Sequence, residues 1–247
     1  ELFRVSWVQH LPDEEEESGL DFNARMSRHL RAALSHALNE RFPKARSLLV
    51  VEEDMEAAPD MLWFFAQLEP LLHKDENLWC ISAWNENGVA TYAADLTALV
   101  RTDVFAGSLA WLLPAELYRK ELLPSWPKGN WAQHLRGRAV SAGRQCIVPE
   151  ISRARHVGRE TGEDSAHAPS KAAGRDAAIF FAADGPSIVD LAQGLLGVAG
   201  IWREVYREKL LAGLHASVPL QDLSQLPLLS PEVTTGRQEL QAPPEFR

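Results

Sequence analysis

Ser47-Leu48-Leu49-Val50-Val51-Glu52-Glu53-Asp54 is the stretch on which the fold reading turns. Four consecutive aliphatic residues between a polar segment and three acids predict a short buried strand, of the kind found in the middle of a parallel sheet. The acids then stand at its carboxyl end, where ligands bind in open α/β sheets. Three adjacent carboxylates repel one another unless a cation or a set of donors is present. A hard metal ion that itself holds a phosphate satisfies them. The competing reading makes Glu52, Glu53 and Asp54 solvated acids ahead of a helix N-terminus, where negative charge is favourable.

Outward from this strand the chain reads as alternating strands and helices. Leu2 to His10 has partial strand alternation, ended by Pro12 and the acidic run Asp13 to Glu17. From Ala24 to Phe42, apolar residues recur at helical spacing, with Asn23 as cap and Pro43 as stop. Strand, helix and strand in that order predict a crossover unit of a parallel sheet. Past the acids, Pro59 opens a second helix with Met61, Phe64, Phe65, Leu68 and Leu72 on one face, and Pro70 is expected to kink it. Further strands are expected over Leu78–Trp84 and Leu99–Phe105, and Asn85-Glu86-Asn87-Gly88 is turn chemistry. A short helix follows over Pro114–Leu123, and Trp126 to Trp131 reads as an aromatic loop. The segment Arg136 to Arg159 holds six arginines, which points either to an anionic ligand or to scattered solvent-exposed charge.

Beyond it, Ala166 to Ala173 reads as a flexible connection, Ala177 to Ala183 as a strand, and Ile201 to Leu214 as a helix. Ile188 to Val198 is apolar but broken by two glycines. Past Val218, prolines and few aromatics predict an extended or disordered tail. The domain reading is therefore 1–165 as an α/β domain, 166–218 as linker and helical region, and 219–247 as a Pro-rich tail.

Composition narrows the function. At 247 residues, 46% hydrophobic and 24% charged, the chain has ample length for a core. Its formal net charge of −9 argues against nucleic acid as a partner. No apolar run reaches the roughly 18 to 20 residues that cross a bilayer. Cys80 and Cys146 both sit in apolar, strand-like contexts and are either inert core thiols or the ends of one bridge. No Gly-rich phosphate loop, paired His/Cys metal spacing or Gly-x-Ser-x-Gly elbow is present. What remains is an acidic strand end, Trp-rich loops and an arginine segment, a combination that fits transfer of a sugar from a sugar nucleotide.

Specific motifs then carry a resemblance. Val50 to Asp60, Leu78 to Gly88 and Cys146-Ile147-Val148-Pro149-Glu150-Ile151-Ser152-Arg153 are similar to family 13 glycosyltransferases. These are the N-acetylglucosaminyltransferase I enzymes and the related protein O-mannose β-1,2-N-acetylglucosaminyltransferases. Arg101-Thr102-Asp103, Trp111-Leu112-Leu113 and Trp126-Pro127-Lys128 match in the same order. The resemblance implies a GT-A fold, Mn²⁺ as cofactor and UDP-N-acetylglucosamine as donor. It also implies inverting transfer to C2 of a mannose on a glycoprotein glycan. Glu52 and Glu53 would contact the sugar and ribose, and Asp54 would be the only protein ligand of Mn²⁺. Trp131 and Arg144 match active-site positions, and Cys80 and Cys146 match a pair that forms a disulfide. Localisation at the lumenal side of the Golgi, through a membrane anchor upstream of Glu1, is implied as well.

Three departures qualify this. Where the family has Trp-Asp-x-Trp, this chain has Trp131-Ala132-Gln133-His134, so alanine occupies the position of the expected base; His134 is the weak substitute. The loop Ala106-Gly107-Ser108-Leu109-Ala110-Trp111 is one residue longer than its family counterpart. The family's first strand and uridine-binding residues fall before Glu1. The alternative expectation is accordingly a pseudo-glycosyltransferase that binds nucleotide sugar without turning it over.

Overall fold

The computed structural model describes residues 7–11, 18–90, 93–107, 109–157, 181–182, 189–192 and 197–217. The first helix, α1, runs Phe22–Ser35 and continues as a wider π-type turn through His36–Arg41. Its cap is Asp21, whose carboxylate accepts the Ala24 N–H at 2.8 Å, and not the expected Asn23. Asp21 has the extended backbone that lets a side chain fold back on the first turn. Residues 7–10 carry no strand, and residues 2–6 lie outside the described residues.

Strand β1 is Ser47–Val51, the span expected from sequence. It leads through the three acids into β2, Met55–Ala57, and then α2, Met61–Leu72. Helix α2 continues through Pro70 and ends two residues later. Next come β3 (Leu78–Ser82), β4 (Leu99–Thr102) and β5 (Ala110–Pro114). Helix α3 (Ala115–Leu117) widens into a π-type turn at Tyr118–Leu122, and α4 (Trp131–Leu135) and α5 (Arg138–Ser141) follow. Strands β6 (Gln145–Pro149) and β7 (Ala154–His156) close the sheets, and α6 is Arg203–Ala216.

Five strands form one sheet in the order β1-β5-β3-β6-β4, and β2 pairs with β7 in a separate ribbon. Among the described strands β1 pairs with β5 alone, antiparallel and not parallel, with Val51 opposite Ala110, and its residues are half-buried or exposed. The only parallel pair among the described strands is β3 with β6. The fully buried strand is β3.

The sheet is the middle of three layers, because side chains alternate across it. Leu49, Ala110, Leu112, Ile81 and Ile147 face a core closed by Met61, Phe64, Phe65, Leu68, Leu71 and Leu72 of α2. Leu48, Val50, Trp111, Leu113 and Cys146 face the other way, onto Leu34, Leu38, Tyr118, Leu122 and Leu135. Both faces of β5 are thus covered, so it reads as a continuous apolar run without alternation.

On the second face Cys80 and Cys146 are directly opposed on β3 and β6 and form a disulfide with Cα atoms 4.6 Å apart. It closes a separation of 66 residues. Replacing both by alanine is expected to lower stability by about 4 kcal/mol, read as a lower urea midpoint for the double variant than for the oxidised chain. An unchanged midpoint would show that the cross-link adds nothing to the stability of the folded sheet.

The chain divides into two compact units, Glu1–Arg207 and Glu208–Arg247. In the second, the described residues are the end of α6, where Leu210, Leu211 and Leu214 are exposed. The expected connection at 166–173 and the tail past 218 lie outside the described residues, as does most of the strand expected over 177–183. Of that last segment Phe181 is described, and it makes a parallel bridge to Ser152.

Candidate active site

The strand directions define the site. β1, β3 and β6 all run the same way, since β5 is antiparallel to both β1 and β3 while β6 is parallel to β3. Their carboxyl ends therefore share one edge of the sheet, together with the start of β5. Three loops meet there: the acids after β1, the Trp84–Gly88 turn after β3 and the segment from Glu150 to His156 after β6. This is the end at which a crevice forms in an α/β sheet.

Backbone bonds hold the acid turn on both sides. The Glu52 N–H donates to the Leu109 carbonyl at 2.7 Å, and the Val157 N–H donates to the Asp54 carbonyl at 2.9 Å. Glu53 and Asp54 are exposed and Glu52 is half-buried. The acids precede a strand, β2, so the helix N-terminus reading does not apply to them. Leu109, in the loop that is one residue longer than expected, has φ +63°, a left-handed conformation rare for a bulky residue.

The turn after β3 is built as its sequence predicts. The Gly88 N–H donates to the Asn85 carbonyl at 3.0 Å, and the Asn85 side chain accepts the Asn87 N–H at 3.0 Å. A Cβ on Gly88 would stand 2.6 Å from the Glu150 carbonyl oxygen, so no larger residue fits there without movement. Asn85 also donates to the Pro149 carbonyl at 2.8 Å, tying this turn to the end of β6. A cleft of about 380 Å³ opens beside it, bordered by Glu86, Asn87, Thr102 and Glu150.

The arginine segment behaves differently from an anion-binding patch. Arg153 is fully buried and pairs with Asp60 at 3.1 Å; its guanidinium also donates to the Ile151 and Leu96 carbonyls. Arg155 pairs with Glu56 at 2.8 Å across the β2–β7 ribbon, and Arg136 with Glu86 at 3.3 Å. Arg144 forks onto both oxygens of Glu121, at 2.9 and 2.6 Å, and holds that carboxyl below its usual range. Four of the six arginines thus neutralise carboxylates of this chain. Arg144 also stands just before β6, at the opposite end of the sheet from Glu52, Glu53 and Asp54. The structure does not bring it to the acids.

Trp131 begins α4 and stacks on Trp111, with ring centroids 6.3 Å apart and planes 15° from parallel. Trp111 lies opposite Val50, two positions before the acids, so the Trp131 ring packs on the sheet face next to their turn. Ala132 follows in the first turn of α4, half-buried, where a methyl group offers no proton acceptor. Nε2 of His134 is buried with no hydrogen-bond partner among the described residues. An imidazole nitrogen so enclosed does not reach a substrate hydroxyl in this conformation.

His156 is the site residue that sequence reasoning missed. Its side chain is 8% exposed, and Nδ1 lies 3.4 Å from Oδ2 of Asp54, whose side chain is 46% exposed. Its ring packs edge-on against Trp84 with centroids 5.8 Å apart. Nothing in the spacing of Asp54 and His156 signals this, because the β2–β7 pairing that joins them links segments far apart in sequence.

Among known proteins, the profile of the GNT-I family matches residues 5–167. An alpha-1,3-mannosyl-glycoprotein 2-beta-N-acetylglucosaminyltransferase of Arabidopsis thaliana is 33% identical over 159 residues, 63% of this chain. The aligned part makes up 35% of that relative's length. The profile match covers the acid turn, the disulfide strands and the β2–β7 ribbon, and on that basis the chain belongs to the GNT-I family.

Proposed function

We propose that this chain carries the donor half of a GT-A-type transferase site that binds UDP-N-acetylglucosamine with Mn²⁺. The reaction is inverting transfer of N-acetylglucosamine to a terminal mannose of a glycoprotein glycan. The observation that carries the reading is the Glu52-Glu53-Asp54 turn, held by backbone bonds at the sheet edge where β1, β3 and β6 end. Family membership and the name of the Arabidopsis relative support the sugar transferred.

The donor set fits the cation. Asp54 offers an exposed carboxylate on a fixed backbone, with Glu53 exposed beside it. Oxygen donors of this kind suit Mn²⁺ or Mg²⁺. Mn²⁺ bound at Asp54 supplies Lewis-acid stabilisation of the departing diphosphate. Glu52 and Glu53 orient the ribose and sugar hydroxyls as hydrogen-bond acceptors, and the Trp131–Trp111 stack walls the adjoining face. Cys80–Cys146 accords with an oxidising compartment such as the Golgi lumen. No helix among the described residues is long and apolar enough to cross a membrane.

Ala132 favours a second reading, a nucleotide-sugar-binding protein that lacks the base. Calorimetric titration of the 247-residue chain with UDP-N-acetylglucosamine, with and without MnCl₂, tests the site itself. Binding is expected to depend on Mn²⁺ and to fall at least about tenfold in Asp54→Ala, by loss of more than about 1.4 kcal/mol of affinity. Equal binding by that variant would remove the acid turn from the site. Transfer above the level of the Asp54→Ala control decides between the transferase and the binding protein.

A further inference from the structure

We infer that His156 is a second protein ligand for the divalent cation held at Asp54; this rests on the donor-site reading above. The resemblance assigns Asp54 alone, and the second donor arrives from the other strand of the β2–β7 ribbon. Pairing of Met55 with His156, and the Val157 N–H bond to the Asp54 carbonyl, fix the two backbones side by side. The imidazole is more than nine-tenths buried and clamped against the Trp84 ring, so its direction is set by packing. Nδ1 is directed at the more exposed Asp54 carboxylate, 3.4 Å from Oδ2.

That separation is informative. It is longer than the roughly 2.7–3.2 Å of a well-formed N–H···O bond. Two neighbouring donors on one octahedral ion with bonds of about 2.1 Å stand roughly 3.0 Å apart, so a shift of a few tenths of an ångström brings both onto a single ion. Imidazole nitrogen and carboxylate oxygen together suit first-row divalent ions. No group of three or more His, Cys, Asp or Glu among the described residues could hold a metal ion. The remaining positions therefore belong to water and, when donor is bound, to its phosphate oxygens. A site with two protein donors holds the cation before the nucleotide arrives, whereas one with Asp54 alone depends on the diphosphate to retain it.

The test is titration of the 247-residue chain with MnCl₂ in the absence of nucleotide. Free Mn²⁺ is followed by electron paramagnetic resonance, and pulsed measurements look for nitrogen coupled to the bound ion. The wild-type chain is expected to show a ¹⁴N coupling that changes to that of ¹⁵N when its histidines are labelled. His156→Gln is expected to lose the coupling and to bind Mn²⁺ at least about tenfold more weakly. Thermal melting of the variant checks that it folds. Should it fail to fold, the conservative variant His156→Asn, read by the same nitrogen coupling, decides.

Bound Mn²⁺ without nitrogen coupling overturns the proposal even if His156→Gln weakens binding, because His156 would then merely position Asp54. Mn²⁺ binding that vanishes in Asp54→Ala while nitrogen coupling is absent leaves the donor-site reading standing and removes His156 from it. Mn²⁺ binding that survives Asp54→Ala overturns both.

Discussion

Ala132→Asp is expected to raise transfer of N-acetylglucosamine to a mannose acceptor by about 10²- to 10⁴-fold, or roughly 3 to 5 kcal/mol of barrier. The attacking hydroxyl must lose a proton as the sugar–phosphate bond breaks. The Ala132 methyl cannot take that proton, and Nε2 of His134 is buried without a hydrogen-bond partner among the described residues. The substitution suits its place in the fold. Residue 132 is in the first turn of α4, already capped by the Asn130 side chain on the Gln133 N–H at 2.9 Å, and a carboxylate is favourable at a helix N-terminus. Steady-state kinetics with UDP-N-acetylglucosamine and Mn²⁺ read the effect. It should appear in kcat, with the donor KM little changed, since the acid turn is untouched. An unchanged kcat would mean that the acceptor side is missing as well as the base.

Asp60→Ala is expected to cost about 3 to 5 kcal/mol of folding stability, a large part of the roughly 5 to 15 kcal/mol of a whole domain. Arg153 is fully buried, lies over the Phe64 ring at 5.7 Å, and has Asp60 as its carboxylate partner. Removing the carboxylate strands a guanidinium where water cannot reach it. Asp60 precedes α2 without capping it, because its carboxylate is turned to Arg153. Urea unfolding measures the loss, and Asp60→Ala combined with Arg153→Met should recover much of it by removing both charges together. A single-variant loss below about 1 kcal/mol, the range of an exposed pair, would contradict the role assigned to the pair. Because Arg153 adjoins Ala154–His156, the same variant should also weaken Mn²⁺ binding at Asp54.

Local signals in the chain were read well where the interaction is local. The span Ser47–Val51, the buried face of α2, and the Asn85–Gly88 turn all follow from residue type and period. The strand Ala110–Pro114 is not legible in the sequence, because a five-residue apolar run has no period of its own; the helix expected from Pro114 does follow, with Pro114 as its cap. Without β5, the antiparallel partner of β1 is not legible in the sequence either.

The partners of the arginine segment are likewise illegible in the sequence. Residue type announces that Arg144, Arg153 and Arg155 are positive, but their carboxylates at Glu121, Asp60 and Glu56 come from distant elements. A charge that reads as an invitation to an anion is cancelled by the fold.

By itself the sequence determined the span of β1, the buried face of α2, the Asn85–Gly88 turn, the family motifs and the acids at the end of β1, because these rest on near neighbours along the chain. The tertiary structure alone decided that β1 runs antiparallel to β5, that four of the six arginines are paired with carboxylates, and that His156 faces Asp54. Those outcomes depend on hydrogen bonds and packing between segments far apart in sequence, to which no local pattern is sensitive.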